Sequence, residues 1–319
     1  MNIDGKNKTE GKESPEYQKK KKTMLLLLAL VLLLICYFGL RYYNQQKEKS
    51  EEAKEEQSTV YLTKEDDLTE ISYDAGNGEM HFVKEDGSWK VEADPDFPLD
   101  QDAVSTLESN LGHIQVLREL KDGDELSDYG LDDPTYWIDL EGEDGSQTRV
   151  LIGNAISSGY YAVVDGEEDV CTISSTVIED LQSSLEDMAA LDIMPDIGSG
   201  NLVEESITNP GSEEATTYSA DNEDDEEAIA TVAGGLGAIT LQDVENYSVS
   251  DEELSQYGLD ENSRTTVEVT YSGKKKDKQL TLYLGADNGS EQRYVMINDS
   301  RIVYKVSTEI CNNILNSGE

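Results

Sequence analysis

An internal duplication is the feature of this sequence that most restricts its fold. The segment DELSDYGLDD at 124–133 matches EELSQYGLDE at 252–261, and seven of the ten positions are identical. Three further pairs of segments match, in the same order along the two copies. Upstream, Leu111–Ile114 matches Leu236–Ile239. Downstream, the VLIG ending at Gly153 matches the LYLG ending at Gly285, and 170–181 matches 303–314. The matched segments are separated by 125 to 133 residues. The chain therefore contains two tandem copies of one folding unit.

The first copy is predicted to contain groups of antiparallel strands, each followed by a helix. Alternating apolar runs between Gly, Asp and Asn turns predict an opening meander at Val60–Thr63, Glu70–Tyr73, Met80–Val83 and Trp89–Glu92. A helix follows from about Asp100, with Gly112 as its predicted C-cap. Four more strands are predicted near 135–141, 147–153, 159–164 and 168–173, and a closing helix from Ser174 through Met188.

The second copy repeats this plan with a shorter opening meander. Its helices are predicted at 225–236 and 307–316, and its later strands near 264–271, 278–284, 292–297 and 301–306. Strands in groups with a helix after each group indicate an α+β fold and not a doubly wound α/β sheet. The predicted domains are repeat one at 59–194 and repeat two at 200–317.

Residues 23–40 form an uncharged, strongly apolar segment near the N-terminus. At about 1.5 Å of rise per residue, a helix of this length spans roughly 26 Å, close to the thickness of a bilayer core. Lys19–Lys22 precede it, and lysines on the short flank indicate a cytoplasmic N-terminus. We therefore expect a cytoplasmic basic tail at 1–22, a single transmembrane helix at 23–40, a charged stalk at 41–58 and an extracytoplasmic location for the remainder.

Two alternatives to a retained membrane anchor fit the sequence less well. A cleaved signal peptide would need a small-x-small site, but the bulky run Tyr37–Arg41 ends the apolar core. A lipoprotein would need a small residue before Cys36, and Ile35 stands there. An uncleaved signal-anchor is the better interpretation.

The charge balance excludes some classes of function. The chain has 68 acidic and 25 basic residues and a formal net charge of −43. This balance excludes a nucleic-acid-binding protein that neutralises phosphates with Lys and Arg, and it disfavours a domain that lies flat on an anionic leaflet. Because the chain has two histidines, it offers little material for His-rich metal sites.

The motif Tyr-Gly-Leu-Asp, at 129–132 and 257–260, is the sharpest local signal. A short helix before it needs a left-handed residue to end it, and glycine adopts that conformation without steric cost. The leucine can then fold back onto the helix, and Pro134 prevents the first helix from continuing. The motif therefore predicts a helix-ending corner and not a binding site.

The densest acidic run is DNEDDEE at 221–227, and it aligns with DPDFPLDQD at 94–102, ahead of the equivalent helix. Carboxylates in a loop and first helical turn interact favourably with the helix dipole. Neither run has the order of an EF-hand loop, which needs alternate acidic ligands followed by Gly and Glu at fixed positions. We expect a structural role, with weak binding of divalent cations as the alternative.

The sequence assigns no catalytic, cofactor-binding or metal-ligating residue. His81 and His113 are expected to be surface or edge histidines, because no His-x-x-x-His or His-Glu pair is present. Gly198–Gly200 lacks the nucleophile-elbow pattern, and Ala233–Gly237 lacks the third spaced glycine of a dinucleotide fingerprint. A catalytic pair of carboxylates is defined by its distance in space, so none is selected.

The cysteines and tyrosines have structural interpretations. Cys171 and Cys311 are expected to be small buried thiols, with a disulfide between them as the lesser alternative. The chain has seventeen tyrosines and three phenylalanines. This excess of tyrosine is typical of half-exposed sheet faces, and it is also typical of surfaces that recognise carbohydrate or peptide. The structural interpretation is preferred for both residue types.

The repeated unit resembles a bacterial family known as domain of unknown function number forty-three forty. The resemblance rests on Trp89 and Val91, the amphipathic helix, the corner before Pro134, the pair Ile152-Gly153, a tyrosine-bearing strand and the closing helix. It covers most of 60–316 in two copies. The second copy departs from the pattern, because Asn262 and Ser263 stand where the first has Asp133 and Pro134.

What the resemblance implies is a bacterial protein, typically anchored by one N-terminal span. Some proteins that look like this are associated with transporter components of the ATP-binding-cassette type, including gliding-type auxiliary subunits. The resemblance implies no catalytic residues.

The first functional hypothesis is a non-enzymatic, membrane-anchored extracytoplasmic module that binds a protein partner in the bacterial envelope, accessory to a transporter-type membrane complex. The anchor would keep the module at high effective concentration near such partners. The alternatives are a cation- or glycan-binding envelope module that uses acidic loops and tyrosines, and a carboxylate-dependent envelope hydrolase. No cofactor and no nucleic-acid partner is expected.

Overall fold

The computed structural model describes residue 41, residues 59–121 and residues 123–316. The predicted transmembrane helix at 23–40, the basic tail and almost all of the predicted stalk lie outside these ranges. Within the described ranges, no helix is both long enough and apolar enough to span a bilayer. Apart from Val60, the features discussed below belong to Tyr61–Asn316.

Repeat one forms a single antiparallel sheet, sheet 1, with helices packed on its inner face. Its strands are β1 (Leu68–Asp74), β2 (Glu79–Glu85), β3 (Ser88–Val91), β4 (Arg118–Glu119), β5 (Tyr136–Gly142), β6 (Gln147–Ile156), β7 (Gly159–Val164) and β8 (Cys171–Ser174). Its helices are α1 (Gln101–Gly112) and α2 (Ser175–Leu181), with 3-10 helices at Leu126–Tyr129 and Glu186–Met188. The strand order is β3-β2-β1-β5-β6-β7-β8-β4.

Repeat two forms sheet 2 on the same plan. Its strands are β9 (Leu202–Thr208), β10 (Ala215–Ser219), β11 (Val244–Asn246), β12 (Thr265–Tyr271), β13 (Lys278–Asp287), β14 (Gln292–Ile297) and β15 (Val303–Ser307). Its helices are α3 (Glu226–Ala238) and α4 (Thr308–Ile314), with 3-10 helices at Glu223–Asp225 and Leu254–Tyr257. The order β10-β9-β12-β13-β14-β15-β11 reproduces that of sheet 1 without a counterpart of β3.

The strand registers make the two repeats comparable residue by residue. Ile138 on β5 pairs with Tyr73 and Val150, and Val267 on β12 pairs with Ile207 and Leu282. The same strands therefore meet at equivalent positions in both sheets. The predicted α+β class, with two tandem repeats of antiparallel strands and packed helices, is confirmed.

Each sheet buries its inner face beneath its helices. Helix α1 begins at Asp100, whose carboxylate accepts hydrogen bonds from the backbone N–H groups of Asp102 and Ala103. Its apolar stripe, Val104, Leu107 and Leu111, lies in the same buried cluster as the inner residues of β1, β5 and β6. A second cluster joins helices α3 and α4 to the inner face of sheet 2.

The segment Val60–Thr63 is not the strand that its alternation predicts, because the end of helix α1 binds it. Leu62 donates its N–H to the carbonyl of Ile114, and the Thr63 hydroxyl donates to Leu111 and accepts from the N–H of Ile114. Tyr61 makes only an isolated bridge, to Gln115. Hydroxyl bonds to a helix end have replaced strand pairing.

Gly112 is the last residue of α1 and not its C-cap, which is His113. A Cβ at Gly112 would collide with the carbonyl oxygen of Glu65. The N–H of Glu65 also donates a hydrogen bond to the carbonyl of Gly112 at 3.0 Å. The glycine is thus required by the close approach of two backbones and not by a left-handed conformation.

The closing helix predicted from Ser174 through Met188 is two shorter elements. Helix α2 ends at Leu181, because Gln182 turns towards the β1–β2 turn, donating to the carbonyl of Ala75 and accepting from Asn77. The carboxylate of Asp187 then accepts from the N–H and hydroxyl of Ser184 and begins a separate 3-10 helix. Met188 still reaches the core.

The two repeats contact each other through loops and the linker between them. The rings of Phe97 and Tyr247 lie 5.2 Å apart, and Ser248 donates its hydroxyl to Asp94 at 2.5 Å. In the linker, Asp192 accepts hydroxyl hydrogen bonds from Ser300 at 2.5 Å and from Tyr304 at 2.9 Å. These bonds attach the linker to sheet 2.

Candidate functional site

The Tyr-Gly-Leu-Asp motifs form the helix-ending corners that the sequence predicts. Gly130 and Gly258 adopt left-handed conformations, with φ of 71° and 64°, at the ends of 3-10 helices. Leu131 and Leu259 fold back, donating their N–H groups to the carbonyls at the starts of those helices, and both side chains are buried. The motifs are accounted for by folding alone.

The other recurring motif packs against these corners. A Cβ at Gly153 would collide with the carbonyl oxygen of Tyr129, and a Cβ at Gly285 with that of Tyr257. The same corner tyrosines contact a strand tyrosine, Tyr129 at 4.8 Å from Tyr161 and Tyr257 at 5.1 Å from Tyr294, measured between ring centroids. Three motifs that are separate in sequence therefore make one packing unit on the outer face of each sheet.

One residue of the acidic run at 221–227, Asp225, binds the end of an exposed sheet edge. Asp225 accepts a hydrogen bond from the N–H of Ser219 at 3.0 Å, on the edge of β10 where β3 lies in sheet 1. Asn222 accepts from Asp224, and Glu226 and Glu227 lie in the first turn of α3. Blocking an edge with a carboxylate limits pairing with another chain.

Metal ligation was the alternative for the acidic clusters. In the part of the chain that the structure describes, no group of three or more His, Cys, Asp or Glu side chains is arranged to hold a metal ion. Weak cation binding stays a prediction.

The cysteines are buried thiols, as predicted, and the Cys171–Cys311 disulfide is wrong. Both are free and buried, Cys171 on β8 and Cys311 on α4. Burial raises the pKa of each thiol to about 11. Thiols of this kind are unreactive at neutral pH because little thiolate forms.

Both histidines are partly exposed, as expected, but their surroundings differ. His113 lies 3.3 Å from the carboxylate of Asp66 at a helix end. His81, on β2, lies between two carboxylates, with Glu70 2.8 Å from its Nε2 and Glu92 2.7 Å from its Nδ1. The second arrangement directs attention to the outer face of sheet 1.

A row of polar side chains crosses that outer face, perpendicular to the strands, and we name it the charged row. It consists of Glu92, His81, Ser72, Asp139, Arg149 and Asp165. Register pairs connect its members: Ser72 stands opposite both His81 and Asp139, and Asp139 stands opposite Arg149. Asp165 and Glu92 complete the row through backbone bonds to Arg149 and His81. Neighbours across strands are close enough for side chains to interact.

The middle of the charged row lines a shallow cavity of about 420 Å³. Arg149 donates to Asp139 at 3.0 Å, and its guanidinium lies 5.0 Å from the ring of Trp137. Burial raises the pKa of Asp139, opposed by Arg149 and reinforced by neighbouring carboxylates such as Asp165. A cationic ligand group would relieve this excess of negative charge.

The equivalent row of sheet 2 has one charged side chain, Glu268. Its members are Thr217, Ser206, Glu268, Thr281 and Asn298, at the same registers. The hydroxyls of Ser206 and Thr217 lie 3.1 Å apart, where sheet 1 has Ser72 beside His81. Glu268 keeps the carboxylate of Asp139, but Thr281 and Asn298 stand where sheet 1 has Arg149 and Asp165. Because sheet 2 folds on the same plan with one charged side chain in its row, the fold does not require the other charges of the charged row.

Sequence reasoning did not select the members of the charged row. They lie on different strands or directly after them, and the first and last of them in the sequence, Ser72 and Asp165, are 93 positions apart. No local motif connects them, since a row across a sheet is created by register. One signal was available in the sequence: at equivalent outward-pointing positions, repeat one has charged residues such as Arg149 where repeat two has uncharged ones such as Thr281.

One family matches the chain over most of its folded part. The family described as domain of unknown function (DUF4340) matches residues 89–233 and residues 218–317. The chain belongs to the DUF4340 family. The two overlapping matches confirm the tandem copies of this family, and each contains one Tyr-Gly-Leu-Asp corner of the DUF4340 chain. No curated protein and no solved structure matches the chain.

Proposed function

We propose that this DUF4340 protein is a non-enzymatic, membrane-anchored extracytoplasmic module that binds a protein partner in the bacterial envelope. The apolar segment 23–40 and its lysine flank support the anchor and the orientation. The partner is an integral-membrane or transporter-associated protein, because an anchored module meets such proteins at high effective concentration.

The partner docks on the charged row of sheet 1. The observation that supports this choice is the difference between two faces with one backbone plan. In sheet 1 the row holds three carboxylates, an arginine and a histidine, and in sheet 2 its one charged side chain is Glu268. A half-buried ion pair such as Asp139 with Arg149 is costly to maintain without a use. Sheet 2 keeps an acid, Glu268, at the position of Asp139 but holds Thr281 in place of Arg149. The row carries more carboxylates than cations, so the matching partner segment presents Lys, Arg and hydrogen-bond donors.

Two matched glutamines allow a controlled test of the docking face. Gln147 is exposed beside the charged row, and Gln279 is exposed at the same register in sheet 2. A photo-crosslinking amino acid is placed at each position in the full chain, in intact cells. We expect position 147 to capture one membrane protein, identified by mass spectrometry, and position 279 to capture at least tenfold less of it.

A charge-neutralising variant completes this test. Replacing Asp139→Asn and Asp165→Asn together should abolish the capture from position 147, because both carboxylates face the docking surface. Equal capture from positions 147 and 279, capture that survives the double substitution, or recovery of the chain alone would each argue against docking at this face.

The cavity favours one second candidate, a carboxylate-dependent envelope hydrolase. It contains several carboxylates, including Glu70, Asp139 and Asp165, and the pKa of Asp139 is raised. Release of reducing ends from isolated cell-wall glycan, lost in Asp139→Asn, would support this candidate over a binding module. No release at high protein concentration would reject it.

A further inference from the structure

Glu205 is a buried acid for which neither the corners nor the charged row gives a reason. It lies on β9, its relative exposure is 0%, and in the described part of the chain neither carboxyl oxygen has a hydrogen-bond partner. Burying a carboxyl group without a partner is costly, and burying it as a charged carboxylate costs far more.

The fold itself calls for an apolar side chain at this position. Glu205 pairs with Val269, and in repeat one the equivalent pair is Ile71 with Leu140. Ile71 is buried in the core of repeat one. Across the hairpin, Glu205 faces Tyr218, where Ile71 faces Phe82. The acid is therefore a specific feature of repeat two and not a requirement of the sheet.

Among the residues that the structure describes, the elements around Glu205 offer it no compensating charge. On β10 the titratable group opposite is Tyr218, and on β12 Val269 lies opposite while Glu268 occupies the exposed face. Helix α3 packs on β9 and β10 with Ile229 and Val232 buried. The helix carries Glu226 and Glu227 in its exposed first turn, after Asp225, which binds Ser219. On β9 itself the neighbouring Glu204 is exposed.

We propose that Glu205 makes the β9–β10 hairpin a pH-operated latch, closed on sheet 2 while the carboxyl is protonated and released when it ionises. The hairpin is suited to local opening because it forms one end of sheet 2. Within the sheet, β10 pairs with β9 alone, and the single ladder between β9 and β12 joins the hairpin to the other strands. Ionisation inside the core needs water or a cation, and hydration becomes possible when the hairpin separates from α3.

The direction of the pH effect follows from burial. Desolvation raises the pKa of Glu205 to about 8, from an ordinary value of 4.5. The closed state therefore holds the proton more tightly than the open state. The latch is fully closed below about pH 4.5, weakens as the pH rises and reaches its weakest state above about pH 8.

Hydrogen exchange measured by mass spectrometry on the full chain tests the latch. From the two pKa values, the protection factors of β9 and β10 amides should fall roughly 90-fold between pH 6 and pH 9. Protection factors, corrected for intrinsic exchange, should stay within about threefold for β13 and β14 in the same sheet, because opening is confined to the edge.

Three variants make the result decisive. Glu205→Gln keeps the shape of the side chain but removes its ionisable group. Glu205→Ile introduces the side chain that repeat one has at this position. If one of the two variants fails to fold, the other provides the comparison. Both should abolish the pH response of β9 and β10. Glu204→Gln removes an exposed carboxyl on the same strand and should leave the response unchanged.

Each contrary outcome identifies a different error. A flat response in the unmodified chain, or a response that persists in Glu205→Gln and Glu205→Ile, would overturn the latch. Loss of protection across all of repeat two at once would show global unfolding and would also overturn it. None of these results depends on the docking of a partner at sheet 1, so the latch and the proposed function fail separately.

Discussion

Sheet 1 and sheet 2 share their strand order, helix positions and packed corners, yet three regions of the two repeats hold different chemistry. The outer row holds three carboxylates, an arginine and a histidine in sheet 1 and a single carboxylate, Glu268, in sheet 2. The buried position opposite Leu140 or Val269 holds Ile71 in one repeat and Glu205 in the other. The edge that pairs with β3 in sheet 1 is unpaired in sheet 2, where Asp225 binds the N–H of Ser219 at one end of it. What the repeats share is enough to fold a sheet, so their differences are where function is to be sought.

The largest expected effect comes from moving the buried acid into repeat one. Ile71→Glu places an unpartnered carboxyl at the position that Glu205 occupies in sheet 2. A rise in pKa like that of Glu205, from 4.5 to about 8, corresponds to a loss of about 5 kcal/mol of stability at pH 9, from about 1.4 kcal/mol per pKa unit. The loss due to the charge should fall to about 1 kcal/mol at pH 5, because the buried acid is then protonated and the pH lies only half a unit above its ordinary pKa of 4.5.

Urea unfolding at pH 5 and pH 9 measures this effect. The exposed Gln279→Glu, opposite Thr270 on sheet 2, adds the same charge on an outer face and should change stability by less than about 0.5 kcal/mol. A loss in Ile71→Glu that is equal at both pH values would mean that the missing isoleucine, and not the buried charge, sets the cost.

The next effect tests the feature that the repeats share. Gly153→Ala and Gly285→Ala should each destabilise the protein by about 2 kcal/mol, because the new Cβ meets a carbonyl oxygen of the corner. Gly234→Ala, exposed on helix α3 with open space around its Cβ, should instead stabilise by about 0.5–1 kcal/mol. Thermal unfolding of the three variants gives the comparison, and a neutral result at either corner glycine would contradict the shared packing unit.

A smaller effect is expected where the linker is bound. Tyr304 donates its hydroxyl to Asp192, while the equivalent position in repeat one holds Cys171. Tyr304→Phe should cost about 1–2 kcal/mol, since the hydroxyl also accepts from the Asp192 N–H. A double-mutant cycle with Asp192→Ala isolates the bond, and additive losses would show that the hydroxyl does not couple to this carboxylate.

Much of the fold could be predicted from the sequence because its signals are local. Alternation identified most strands, Asp100 and Ser174 marked helix starts, and the Gly130 corner could be derived from the cost of ending a helix. Errors arose where a distant backbone decided the outcome. Gly112 is explained by Glu65, and the short helix α2 by the turn that contains Ala75.

The candidate site could not be predicted in the same way. The alternation of β1, β5 and β6 shows which side chains point outward, but it does not show which of them become neighbours. Ser72, Asp139 and Arg149 meet only because of the register of three strands. The buried Glu205 was hidden for a related reason, since LVEESIT places two acids side by side and only pairing decides which one is inside.

The smallest change in stability is expected at the charged row, although its effect on binding should be large. Arg149→Thr copies Thr281 into sheet 1, and the lost pair with Asp139 is half-exposed, so stability should change by less than about 1 kcal/mol. Without the guanidinium, burial and neighbouring carboxylates should raise the pKa of Asp139 further, which a carboxyl NMR titration detects.

Partner capture from position 147 should fall at least tenfold in Arg149→Thr, since Arg149 fixes the orientation of Asp139 in the docking face. The reverse change, Thr281→Arg, should create no capture from position 279, because Asn298 stands in sheet 2 where Asp165 stands in sheet 1. Capture gained by Thr281→Arg alone would mean that one cation and not the whole row recruits the partner. A stable Arg149→Thr protein that keeps its partner would locate the binding surface elsewhere on the chain.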